Sequence, residues 1–249
     1  MKEGSLIPMF GRARRDPALA VLEGFHPLKH ALRFDATIIE VLTDDPGRLD
    51  ELALRLAPDV RERVTAMARP IETQIFEQLS PLPPSTRVIS LAERPRIDTA
   101  LMLADPRPEP VVLLEDPRDL GNMGASVRVC AAADIAGVLT TGGHDPWHPD
   151  ALRGAAGLHF ALPVARIGGL HELAASGRPL LAVDPDGEPI DSGSLDPRAI
   201  LAFGTEREGL SDELLQQAAA RVRIPMRAGV SSLNLATSVA AVLFARRRD

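Results

Sequence analysis

Side chains able to do chemistry gather in three glycine-rich stretches of this 249-residue chain. In the first, "GNMGASVR", Gly121 and Gly124 flank Asn122 and open a helix, with Arg128 six positions further on. Amide groups at a helix start and a nearby guanidinium suit an anionic or hydroxyl-bearing ligand. Helix arginines are commonly solvated charges, so this stretch alone names no reaction. In the second, "FGTEREGLS", Gly204 follows a strand and Glu206 and Glu208 occupy a glycine-bounded turn. Gly204 permits close approach of a planar ligand, and a carboxylate there can orient a donor or a basic partner. Ser211, followed by Asp212 and Glu213, reads as a helix N-cap. In the third, "IPMRAGVSSLN", Pro225 fixes a strand exit, Gly229 adds flexibility, and Ser231, Ser232 and Asn234 crowd one helix start. One cap needs only one of those side chains.

Strands must deliver these loops. Hydrophobic patterning predicts strands at 111–115, 136–140, 161–165, 180–183, 199–203 and 221–225, and helices at about 122–134, 149–156, 169–176, 211–219 and 232–247. The run "VVLLED" suits a strand buried on both faces. Such alternation implies an α/β domain with a parallel sheet, whose ligands sit at the carboxyl ends of strands. Earlier in the chain, 37–42 and 86–91 read as strands and 47–56 as an amphipathic helix, a small α/β unit. Prolines and charges at 92–109 read as a linker. The expected domains are therefore 1–105 and 106–249.

Composition narrows the classes. Apolar residues make up 45%, ample for a packed core. No long uncharged apolar window is present, and "MKEGSLIPMFGRARRD" lacks a signal-peptide pattern, so neither membrane nor export is expected. The single cysteine, Cys130, excludes an intramolecular disulfide and a multi-thiolate metal cage, fits a reducing cytoplasm, and reads as a buried helix residue. A net charge of −6 argues against a uniformly basic nucleic-acid binder without excluding a local basic groove.

Taken together, the three stretches resemble the motifs of the SpoU/TrmH class of RNA ribose 2′-O-methyltransferases, in the SPOUT superfamily. "NMGASVR" is similar to N-x-G-x-x-x-R, "FGTEREGLS" to F-G-[ST]-E-x-x-G-L-S, and "IPMRAGVSSLN" to I-P-M…S-L-N, in the same order across about 109–249. The resemblance implies a C-terminal SPOUT domain with a parallel sheet and a deep trefoil knot made by the last strand and helix. It implies a small α/β substrate-binding domain before it, since "LEGFHPLKHAL" resembles that domain's opening helix. It implies S-adenosylmethionine as cofactor, held by Gly204, Ile224, Met226 and Leu233, and a catalytic centre of Asn122, Arg128, Glu206, Ser232 and Asn234. It further implies a tRNA or rRNA substrate, a homodimer with the site at the subunit interface, a cytoplasmic location and no metal. Family members usually carry glycine where Asp134 stands.

Two other classes compete. A non-catalytic dimeric RNA-binding protein on the same scaffold would not need Asn122, Arg128, Glu206 and Asn234. A dinucleotide-binding oxidoreductase would need G-x-G-x-x-G after the first strand and an acidic residue about 20 positions on, which this chain lacks. Trp147 and His148 read either as RNA-stacking or as packing residues, and His26 and His30, one turn apart, as RNA contacts. Arg246, Arg247 and Arg248 read either as RNA contacts or as a solvated helix end.

Overall fold

The computed structural model describes residues 3–190, 195–205 and 208–246. The helices are α1 (Leu6–Ala13), α2 (Phe25–Arg33), α3 (Pro46–Leu56), α4 (Arg61–Met67), α5 (Thr73–Phe76), α6 (Thr99–Leu103), α7 (Leu120–Ala132), α8 (Pro149–Gly154), α9 (Asp212–Gln217) and α10 (Leu235–Ala245). The strands are β1 (Leu19–Glu23), β2 (Ile38–Thr43), β3 (Ala68–Pro70), β4 (Val88–Glu93), β5 (Val111–Leu114), β6 (Gly137–Thr140), β7 (Val164–Arg166), β8 (Leu180–Pro189), β9 (Ile200–Phe203) and β10 (Ala220–Arg223). The chain divides into two compact units, Met1–Arg96 with Trp147–Ala161, and Ile97–Pro146 with Leu162–Asp249.

In the first unit the sheet order is β1-β4-β2-β3, antiparallel except where β3 joins β2. Alternation along the strands gives it two apolar faces. Leu42 and Ile89 pack with Leu6 and Phe10 of α1 and with Phe76, whereas their neighbours Val41 and Val88 pack with Phe25 and Leu28 of α2, Leu49 of α3 and Val64 of α4.

Residues 147–161 belong to this unit, although their pattern placed them with the later strands. Buried contacts explain the difference. Glu23, 4% exposed, accepts hydrogen bonds from Ser80 and Arg14 at 2.7 and 2.6 Å and also pairs with Arg153 beside α8. Burial pushes the Glu23 carboxyl up, but the Ser80 hydroxyl and the charges of Arg14 and Arg153 outweigh it and leave it below the usual range. Gly157 has φ +77°, and a Cβ there would lie 2.6 Å from the Pro27 backbone. Trp147 is buried against His159 and Phe160, with ring centroids 5.1 and 5.2 Å away, so the packing reading holds. The His30 ring nitrogen Nδ1 donates to the Ala156 carbonyl at 2.7 Å.

The second unit has a six-stranded parallel sheet of order β10-β8-β9-β5-β6-β7. Its central strands β5 and β9 are buried at every residue, as their continuous apolar runs require. The expected strand positions agree with the observed ones to within a few residues, except that β8 extends to Pro189. The expected helix at 169–176 is a 3-10 helix, Leu170–Ser176.

The supposed linker is a built part of this unit. Met102 and Leu103 of α6 are buried in the core, and the buried Arg178 guanidinium donates to the carbonyls of Leu103, Asp105, Glu109 and Arg198 at 2.7 to 2.9 Å. Four backbone acceptors satisfy a charge that burial alone would make costly. Composition reads the segment as polar because its apolar anchors are few. Arg246 is likewise structural: it donates to Glu109 Oε2 at 2.5 Å and to the carbonyls of Pro108 and Pro197. Arg247 and Arg248 lie outside the described residues.

Candidate active site

The three glycine-rich stretches leave the carboxyl ends of β5, β9 and β10. At the first, Asp119 caps α7 by accepting from the Asn122 amide at 2.6 Å. Glu115, just past β5, accepts from both the Ser211 amide and hydroxyl, at 2.7 and 2.6 Å. Ser211 still caps α9, accepting from the Leu214 amide at 3.2 Å. One serine therefore starts a helix and ties the first stretch to the second. Sequence reading recovered the cap and missed Glu115, 96 residues away.

In the second stretch, Thr205 and Gly209 exchange backbone hydrogen bonds of 3.1 Å, so the loop folds back on itself. A Cβ at Gly204 would lie 2.1 Å from the Gly209 carbonyl carbon, which leaves glycine as the residue that fits. Glu206 lies outside the described residues. Glu208 pairs with Arg118, which lies between β5 and α7, at 3.3 Å, both side chains being largely exposed.

In the third stretch, α10 begins at Leu235 rather than at 232, and its cap is Asn234 alone, whose Oδ1 accepts from the Ala236 amide at 3.0 Å. That bond fixes which way the carboxamide faces. Asn234 Nδ2 then donates to Asn122 Oδ1 at 2.9 Å, across 112 positions. Ser232 lies ahead of the helix and is exposed, so of the three crowded polar side chains it is Asn234 that caps. Arg128 is exposed on α7. Six residues of helix put it about 9 Å along the axis and about 120° round from Asn122, so its long side chain, not adjacency, must span to a common ligand.

A cleft of about 420 Å³ opens between the loops that follow β9 and β10, and Asn122, Arg128 and Asn234 are not among its lining residues. Gly204, Ile224, Met226 and Leu233, the residues expected to hold a cofactor, all line it, as does Ser232, expected in the catalytic centre. Phe203, Leu210 and Leu235 add apolar wall, and Ser231 and Ser238 add hydroxyls. Asn234 stands between Leu233 and Leu235 of that wall while its side chain is joined to Asn122. The middle of β8 contributes Val183, Asp184 and Pro185, which sequence reading missed. The turn-like "DPDG" at 184–187 was the available signal.

Among the described residues no group of three or more His, Cys, Asp or Glu is placed to hold a metal, and no helix is long and apolar enough to cross a membrane. Cys130 is fully buried, and burial pushes its thiol up, away from nucleophilic use.

The architecture defines an α/β protein with a partly apolar cleft at the carboxyl ends of a parallel sheet, bordered by a carboxamide pair. Comparisons with known proteins make the assignment specific. The model of the SpoU rRNA Methylase family matches residues 109–244. A 23S rRNA (adenosine(1067)-2′-O)-methyltransferase of Streptomyces azureus is 28% identical over 241 residues, 94% of this chain and 88% of that protein. An uncharacterized tRNA/rRNA methyltransferase of Mycobacterium bovis is 34% identical over 248 residues, 93% and 82% of the two chains. The crystal structure of the SpoU methyltransferase AviRb from Streptomyces viridochromogenes, in complex with AdoMet, superimposes with TM-score 0.77 over 98% of this chain and 96% of that one, at 23% identity. The chain belongs to the SpoU rRNA methylase family.

Proposed function

We propose that this protein transfers a methyl group from S-adenosylmethionine to a ribose 2′-hydroxyl of RNA, with ribosomal RNA as the substrate class. The observation that carries the reading is the convergence of Gly204, Ile224, Met226 and Leu233 on one cleft beside the Asn122–Asn234 pair. The cleft fits the donor: apolar walls suit an adenine and an alkyl chain, and glycine at 204 lets the backbone approach a flat ring. The bound donor supplies an electrophilic methyl group on a sulfonium, so the nucleophile is what this chain must prepare.

Arginine remains protonated at neutral pH and makes a poor base. Arg128 therefore holds an RNA phosphate next to the target ribose and polarises the hydroxyl, whose oxygen takes the methyl group as the S–CH3 bond breaks, S-adenosylhomocysteine leaves and the hydroxyl proton passes to solvent water. Asn122, fixed through Asn234, orients that ribose, and Glu206 orients Arg128. Ser232 orders the third stretch against the cofactor. The first unit binds substrate RNA. A trefoil knot formed by the last strand and helix, a homodimer that completes the site across its interface, and a cytoplasmic location belong to the same reading.

The test is Arg128→Ala assayed for S-adenosylmethionine binding and for methyl transfer to rRNA. The reading expects binding within twofold of the parent and transfer reduced at least a hundredfold. Near-normal transfer would remove Arg128 from the mechanism.

A further inference from the structure

Asp184 reaches the cleft by an irregularity of β8. Beside β10, Ala182 faces Arg221 and Glu188 faces Val222, so residues 183–187 loop out between two consecutive positions of the neighbouring strand. The return is tight: a Cβ at Gly187 would lie 2.5 Å from the Val222 amide nitrogen. Within the excursion the Asp186 amide donates to Asp184 Oδ1 at 2.8 Å, which holds the carboxylate in place and leaves Oδ2 without a partner among the described residues.

Asp184 and Glu208 are the charged residues that line the cleft among the described ones, and both are acidic. Glu208 is largely exposed and already paired with Arg118, whereas Asp184 is half-buried. A half-buried carboxylate with a spare oxygen favours a cation over a neutral molecule of the same shape. The methyl donor and its product form such a pair, because loss of the methyl group converts a cationic sulfonium into a neutral thioether.

We infer that Asp184 is a specificity residue of this cleft, supplying the negative charge by which it prefers S-adenosylmethionine to S-adenosylhomocysteine. The inference rests on the cofactor reading given above. Charge preference of this kind loads the donor and loosens the spent product, which a multi-turnover transferase needs.

Asp184→Asn tests it cleanly, since an asparagine Oδ1 still accepts from the Asp186 amide and keeps the turn. Calorimetric titration of the parent and D184N with each ligand is the experiment, with thermal melting as the check on folding. The inference expects D184N to lose about tenfold in affinity for S-adenosylmethionine and less than threefold for S-adenosylhomocysteine. Raised salt should weaken the parent's preference and leave that of D184N unchanged. Equal losses for both ligands, or no loss for either, would overturn the role of Asp184 while leaving the cofactor reading intact. A parent protein that binds neither ligand would overturn both.

Discussion

Asn234 joins two jobs in one carboxamide: its Oδ1 caps α10 through the Ala236 amide at 3.0 Å, and its Nδ2 donates to Asn122 Oδ1 at 2.9 Å. Helix α10 packs along α7, so the starts of the two motif-bearing helices are locked together at the edge of the cleft. The crowding of polar side chains before an apolar helix thus has a cause, with one residue serving the cap and the site.

These jobs can be separated. Asn234→Asp keeps a good N-cap but removes the donor to Asn122, while Asn234→Ala removes both. Melting temperature should stay near that of the parent in N234D and fall in N234A, by about 1 kcal/mol of stability. Methyl transfer should drop at least tenfold in both. Full activity in N234D would mean that the carboxamide pair is only structural.

Asp134, which follows α7, has φ +47°. An L-residue in that region is strained by about 1–2 kcal/mol, and glycine is not, though it loses more entropy on folding. The ion pair that Asp134 makes with Arg107, 3.9 Å long and exposed, contributes little. Asp134→Gly should therefore stabilise the protein by about 0.5–1 kcal/mol, read as a higher denaturation midpoint with unchanged activity. Position 134 then acts through backbone strain rather than through chemistry.

Acid should unfold the first unit through Glu23. Its carboxyl is held below the usual glutamate range in the folded state, so the stability it contributes is present above the unfolded value of 4.5 and is lost as pH falls through the folded value. Denaturation midpoints measured from pH 7 downward should decline below about pH 4.5. Glu23→Gln should be less stable at pH 7 and show a shallower decline, since Arg14 and Arg153 have then lost their buried partner. Parallel pH profiles would contradict this.

Much of the second unit was legible in the sequence because strands buried on both faces are nearly continuous apolar runs, as in Val111–Leu114 and Ile200–Phe203. Ser211 was legible as a cap because caps are local. What escaped was non-local or aperiodic. The Glu115–Ser211 and Asn122–Asn234 contacts join positions about a hundred residues apart, and no periodicity reports them. The excursion at 183–187 interrupts a strand, and α6 is too short to show an amphipathic repeat. Strand β1 was missed because its run "LAVLE" is brief and ends in Glu23, whose burial depends on Arg14, Ser80 and Arg153.

Transfer of a methyl group from S-adenosylmethionine to a ribose 2′-hydroxyl leaves a product that can be identified chemically. The most direct measurement is incubation of the purified protein with unmethylated rRNA and methyl-labelled S-adenosylmethionine, followed by complete digestion to nucleosides and mass spectrometry. Label is expected in a single 2′-O-methylated nucleoside, and is expected to be absent when Arg128→Ala replaces the parent. Label on a base, or no label in RNA from a protein that binds both RNA and the donor, would contradict it.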